Sequence, residues 1–95
     1  MSSKRFSSVW DAIEDSAFQA ASLKLRALVA NEVMEKLRAR KLTQSKAAHL
    51  LGVTQPRISD LMRGRLNLFS LDALVDMADR AGLQTSLVVR PKRAA

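Results

Sequence analysis

Between Leu42 and Gly64 two helix starts and two helix stops follow one another with almost no chain between them. Thr43 is a hydroxyl N-cap, able to accept from a first-turn N–H, and Gly52 supplies the left-handed residue on which helices commonly end. Only Val53 separates that glycine from a second N-cap, Thr54, and Gly64 closes the second helix in the same manner. Pro56 falls in the first turn, where a missing N–H breaks no internal hydrogen bond. The helical period then fixes the inward sides: Ala47, Ala48, Leu50 and Leu51 in the first helix, Ile58, Leu61 and Met62 in the second. Two short helices joined this tightly, with alanines where they must approach, predict a helix-turn-helix over residues 43–63.

The flanking sequence predicts more helix. Ser16 and Gln19 form a capping box, and behind it Leu25, Leu28, Val29, Val33, Met34 and Leu37 recur at helical spacing, giving a long first helix ending near Arg40. Lys36, Arg38, Arg40 and Lys41 suit the negative end of its dipole. After a loop over residues 65–69, Ser70 caps a fourth helix with Leu71, Leu74, Val75 and Ala78 inward and Gly82 at its end. Ser8 and Asp11 can cap a short helix in an N-terminal arm, in which Phe6, Val9 and Trp10 form an apolar anchor for a partner or for the core.

Residues 83–89 change period. Leu83, Thr85, Leu87 and Val89 alternate with Gln84, Ser86 and Val88, and Pro91 follows, which is the pattern of a strand with no second strand to pair with. Because a lone strand leaves its backbone groups unpaired, the expectation is a two-fold dimer whose C-terminal strands pair antiparallel through Leu83, Thr85, Leu87 and Val89. The predicted organisation is an arm (1–16), a domain carrying the helix-turn-helix (17–82), a dimerising strand (83–90) and a disordered basic tail (91–95). The fold class is all-α, a compact bundle of four to five helices with that strand appended.

Charge locates a partner. The 95 residues carry a net +7, yet residues 1–35 sum to −1, residues 66–89 to −2, and residues 90–95 to +3. Residues 36–65 alone hold +7, with eight cations against Asp60. Such a block attracts a polyanion by counterion release. The chain contains no cysteine, which removes disulfides and thiolate sites and fits a reducing cytoplasm. Its apolar runs are too short for a bilayer and no signal-peptide stretch opens it. His49 stands without acidic neighbours and the glycines end helices rather than cradle phosphate, so neither an enzyme nor a cofactor or metal protein is expected. Asp72, Asp76 and Asp79 follow helical spacing on the outer side of the fourth helix, a solvated face or a contact for a basic partner.

The run Leu42-Thr43-Gln44, Leu51-Gly52-Val53-Thr54 and Ile58-Ser59-Asp60-Leu61 followed by Gly64 resembles the phage-repressor, or XRE-type, helix-turn-helix family, with a match over residues 25–83. That resemblance implies a lambda-repressor-like fold, double-stranded operator DNA as partner, and a phosphate contact from Gln44. Together with residues 6–15 and the start of the fourth helix, the chain is similar to HigA-type antitoxins, which implies repression of its own operon and neutralisation of a RelE- or HigB-type toxin.

Independently of family, the first turns of the second helix of such a motif enter the major groove, where Gln matches adenine N6 and N7 and Arg matches guanine O6 and N7. Gln55 and Arg57 are the expected base readers, Ser59 a weaker one, and Pro56 an apolar contact for a thymine methyl. Thr43, Gln44, Ser45, Lys46, Thr54, Arg63, Arg65 and Asn67 are the expected phosphate contacts. Asp60 is expected to hold Arg57 or Arg63.

Overall fold

The structure, a computed structural model, describes residues 9–93, and side chains from Ser16 onward. Four helices, α1 (Val9–Ala39), α2 (Gln44–Leu51), α3 (Gln55–Met62) and α4 (Leu71–Arg80), are joined by short loops, with a 3-10 turn (Leu66–Leu68) between the last two. Phe6 lies outside the described residues, as do the side chains of Val9 and Trp10.

Capping chemistry sets the boundaries. The hydroxyl of Thr43 accepts from the Lys46 N–H at 3.2 Å, that of Thr54 from Arg57 at 3.4 Å, and that of Ser70 from Ala73 at 3.0 Å. All four helices end on one motif, in which a left-handed residue lets two N–H groups fold back onto the last-turn carbonyls. At α2, Gly52 N–H donates to His49 at 3.3 Å and Val53 N–H to Ala48 at 3.0 Å. Gly64 and Gly82 do the same for α3 and α4. At α1 the residue is Lys41, with φ 53°, and Leu42 N–H reaches Leu37 at 3.4 Å. A side chain in that conformation is strained where glycine is not.

Two expectations change. The capping box at Ser16 does not start a helix: α1 runs unbroken through Ser16 and Gln19 from Val9. A capping pattern acts only where the preceding chain leaves helical dihedrals, and no glycine or proline precedes Ser16 to force that departure. The alternating residues 83–89 form no strand in the single chain, and no strand occurs among the described residues. Leu83 packs against the core while Leu87 and Val89 are exposed.

The core is drawn from every helix: Ala30, Val33, Met34 and Leu37 of α1, Ala47, Ala48 and Leu51 of α2, Ile58 and Leu61 of α3, and Leu74, Met77 and Ala78 of α4, with Ala81. Phe69, just before the α4 N-cap, is 2% exposed. Burial on α1 begins only at Ala30, so the expected apolar stripe divides. Val33, Met34 and Leu37 enter the core, whereas Leu25 and Leu28 stay exposed beside α4. No helix among the described residues is long and apolar enough to cross a membrane.

Candidate nucleic-acid interface

The alanine pair at 47 and 48 is buried where α2 meets α3, and the Arg80 side chain of α4 lies beside the turn at Gly52. A Cβ added at Gly52 would stand 2.8 Å from the guanidinium of Arg80, which is itself held by Asp76 at 3.0 Å. The buried alanine contact sets how α2 meets α3, and the turn between them uses the left-handed conformation that glycine adopts without strain.

That unit turns its helix starts outward. Thr43, Gln44, Ser45 and Lys46 at the head of α2 are exposed, as are Thr54, Gln55 and Pro56 at the head of α3. The first N–H groups of a helix have no intrahelical partner and attract anions, so the start of α2 can hold a phosphate oxygen. At the start of α3 the Thr54 cap takes the Arg57 N–H and Pro56 has none, as the sequence requires. What α3 offers there is therefore side-chain chemistry: the Gln55 amide and the Pro56 ring. Ser59, one turn on, is half-buried.

Arg57 is placed differently from a free base reader. Its guanidinium lies over the Phe69 ring, 3.9 Å from the centroid, and donates to the Leu68 carbonyl at 2.8 Å. From the opposite side Arg26 of α1 donates to the carbonyls of Leu66 at 2.9 Å and Phe69 at 3.4 Å. Two arginines from two helices thus clasp one turn, and that turn carries exposed Asn67 at its tip.

Asp60 also differs from expectation. It pairs with Arg65 at 3.5 Å rather than with Arg57 or Arg63. Arg57 is turned to the loop, and the backbone reversal at Gly64 brings Arg65 back over α3, where its N–H bonds the Asp60 carbonyl at 3.0 Å. Arg63 is exposed. Of the expected phosphate contacts, all eight are exposed, on the head of α2, the head of α3 and the loop that follows α3.

The sequence reading missed Arg26 and Phe69. Arg26 acts on residues some forty positions away, and nothing local marks it. Phe69 did carry a signal: an apolar residue just before an N-cap, with Leu74 at the fourth helical position, is the pattern of a hydrophobic staple, and both are buried.

Comparison with known proteins agrees with this geometry. The family described as a helix-turn-helix domain matches residues 12–90. A solved structure of a protein described as an XRE family transcriptional regulator superposes with a TM-score of 0.74 at 28% identity, over 81% of this chain and 90% of that one. No curated protein matches the chain. With a family match spanning most of its length, and α2 and α3 packed as its sequence predicts, the chain belongs to the helix-turn-helix family, of the XRE type.

Proposed function

We propose that this protein is a sequence-specific DNA-binding transcriptional regulator that acts as a homodimer. The observation that carries the reading is the head of α3: Gln55 and Pro56 stand exposed on a helix start that is capped by Thr54 and joined to α2 through the left-handed turn at Gly52. Gln55 reads adenine, Pro56 contacts a thymine methyl and Ser59 lies at the margin of the groove. Thr43, Gln44, Ser45, Lys46, Thr54, Arg63, Arg65 and Asn67 hold phosphates, and Arg57 acts chiefly through the loop it clasps.

In the dimer the segments carrying Leu83, Thr85, Leu87 and Val89 pair antiparallel, so two α3 helices face half-sites about one helical turn, roughly 34–36 Å, apart. Selection of bound sequences from random DNA by the full chain tests this. The expected result is an inverted repeat; enrichment of no sequence, or of a single half-site, overturns it.

The HigA resemblance extends the reading to an antitoxin that represses its own operon and neutralises a RelE- or HigB-type RNase. Exposed Phe18 and Leu23 on α1 give such a partner an apolar grip. Co-purification with the product of the adjacent reading frame tests that extension. A toxin captured by a chain that selects no DNA would favour a pure interaction protein instead.

A further inference from the structure

The exposed part of α1 and the outer side of α4 enclose an apolar groove of about 320 Å³, lined by Leu25, Leu28, Val29, Leu71 and Val75. Leu87 of the chain's own C-terminal segment edges it and remains 64% exposed, and Val89 is 83% exposed. Alongside runs a second depression, lined by Asp72, Asp76 and Asp79 and reaching Leu83 and Gln84. Asp76 is paired with Arg80, whereas Asp72 and Asp79 form no ion pair among the described residues. The cations that follow the segment, Arg90, Lys92 and Arg93, are exposed and form none either.

In the single chain the basic tail makes no ion pair with the acidic rim, and a second copy brings one tail to each rim. We propose that in the dimer the basic tail of each protomer lies along the acidic side of its partner's α4, while Leu87 and Val89 of the two chains close the apolar grooves. The proposal rests on the dimer reading above and names what the tail does there. Antiparallel pairing about a two-fold axis at Ser86 sets Leu87 across from the partner's Thr85 and Val89 across from the partner's Leu83. Arg90 then passes the partner's Gly82, and Lys92 and Arg93 reach the end of the partner's α4, where Asp79 makes no ion pair among the described residues and the helix dipole favours a cation. The lengths agree: four extended residues beyond Val89 span about 13 Å, and α4 from Asp72 to Asp79 rises about 10 Å.

Sedimentation equilibrium of the full chain at about 50 mM and about 500 mM salt reads the effect. One variant reverses the tail (Arg90→Glu, Lys92→Glu, Arg93→Glu), a second reverses the rim at its unpaired end (Asp79→Lys), and a third combines them. A lysine at position 79 suits the end of the α4 dipole and leaves the Asp76–Arg80 pair in place. Each reversal alone should weaken the dimer about tenfold at low salt, the combination should recover most of that loss, and high salt should shrink the differences. If both reversals leave the dimer constant unchanged while Leu87→Asp yields monomer, the dimer stands and the clasp is overturned. A tail reversal that lowers DNA affinity of an unchanged dimer overturns it too, assigning the tail to DNA. A wild-type chain that is monomeric throughout refutes the dimer and the clasp together.

Discussion

Replacing Arg57 by alanine separates two roles that one arginine on α3 could have. In the structure its head group stacks on Phe69 at 3.9 Å and bonds the Leu68 carbonyl at 2.8 Å. A charge-assisted bond at the solvent edge contributes about 1 kcal/mol, below the buried range. A cation over an aromatic face at a partly exposed site adds about 0.5–1 kcal/mol. Arg57→Ala should therefore destabilise the fold by about 1.5–2 kcal/mol, which in a domain this small lowers Tm by about 6–16 °C. Circular dichroism melting measures the loss. Arg57→Lys should recover only part of it, since an ammonium keeps charge but not the planar stack. Gel shifts supply the contrast: Arg57→Ala should weaken binding to operator and scrambled DNA alike by loosening the loop that presents Arg65 and Asn67. Gln55→Ala should leave Tm unchanged and lose about 1–3 kcal/mol of discrimination at one base pair. An Arg57→Ala variant that melts like wild type but no longer tells operator from scrambled DNA would refute the clasp and restore Arg57 as a base reader.

Three further outcomes follow from the same geometry. Thr54→Ala removes the cap of α3 and should cost about 1 kcal/mol in urea denaturation, and an unchanged midpoint would mean the 3.4 Å contact is not a working cap. Lys41→Gly relieves a side chain at φ 53° and should raise stability by about 0.5–1 kcal/mol, net of the greater freedom of glycine in the unfolded chain; a fall in Tm would show that the lysine side chain stabilises the turn by more than its strain. Lys46→Ala should lower affinity for all DNA sequences and reduce the salt slope by about one unit, and a loss confined to operator DNA would make Lys46 a base contact.

What was legible in the sequence is what neighbouring residues decide among themselves. Thr43, Gly52, Thr54, Gly64, Ser70 and Gly82 each act within four residues of the backbone group they satisfy, and α2, α3 and α4 begin and end where those residues placed them. Ser16 offers the same local pattern and fails, because the helix had already begun upstream and the hydroxyl had no chain end to cap. The direction of Arg57 was not legible, since it depends on a carbonyl eleven residues away becoming a better partner than solvent. The same holds for Arg26, whose bonds to Leu66 and Phe69 exist only once α1 has packed beside the loop. The division of the α1 stripe at Ala30 is likewise a matter of where the partner helices stop, to which a helical period is blind.

These placements bear on what the basic block means. A run of cations between residues 36 and 65 reads as one polyanion-binding surface, but its members are not equivalent. Lys36 and Arg38 sit in the last turn of α1 and offset its dipole. Arg57 is held by a ring and a carbonyl at once, so a phosphate would have to replace both contacts to take it. Arg65 is held only by Asp60, at 3.5 Å and half exposed, and a pair so weakly coupled yields readily to a phosphate. Lys46 and Arg63 make no ion pair among the described residues. The cations free to release counterions are therefore those flanking the head of α2 and the end of α3, on either side of Gln55. On the proposed reading, affinity comes from these edges and discrimination from the centre, where a capped helix start presents an amide and a proline ring with no charge between them.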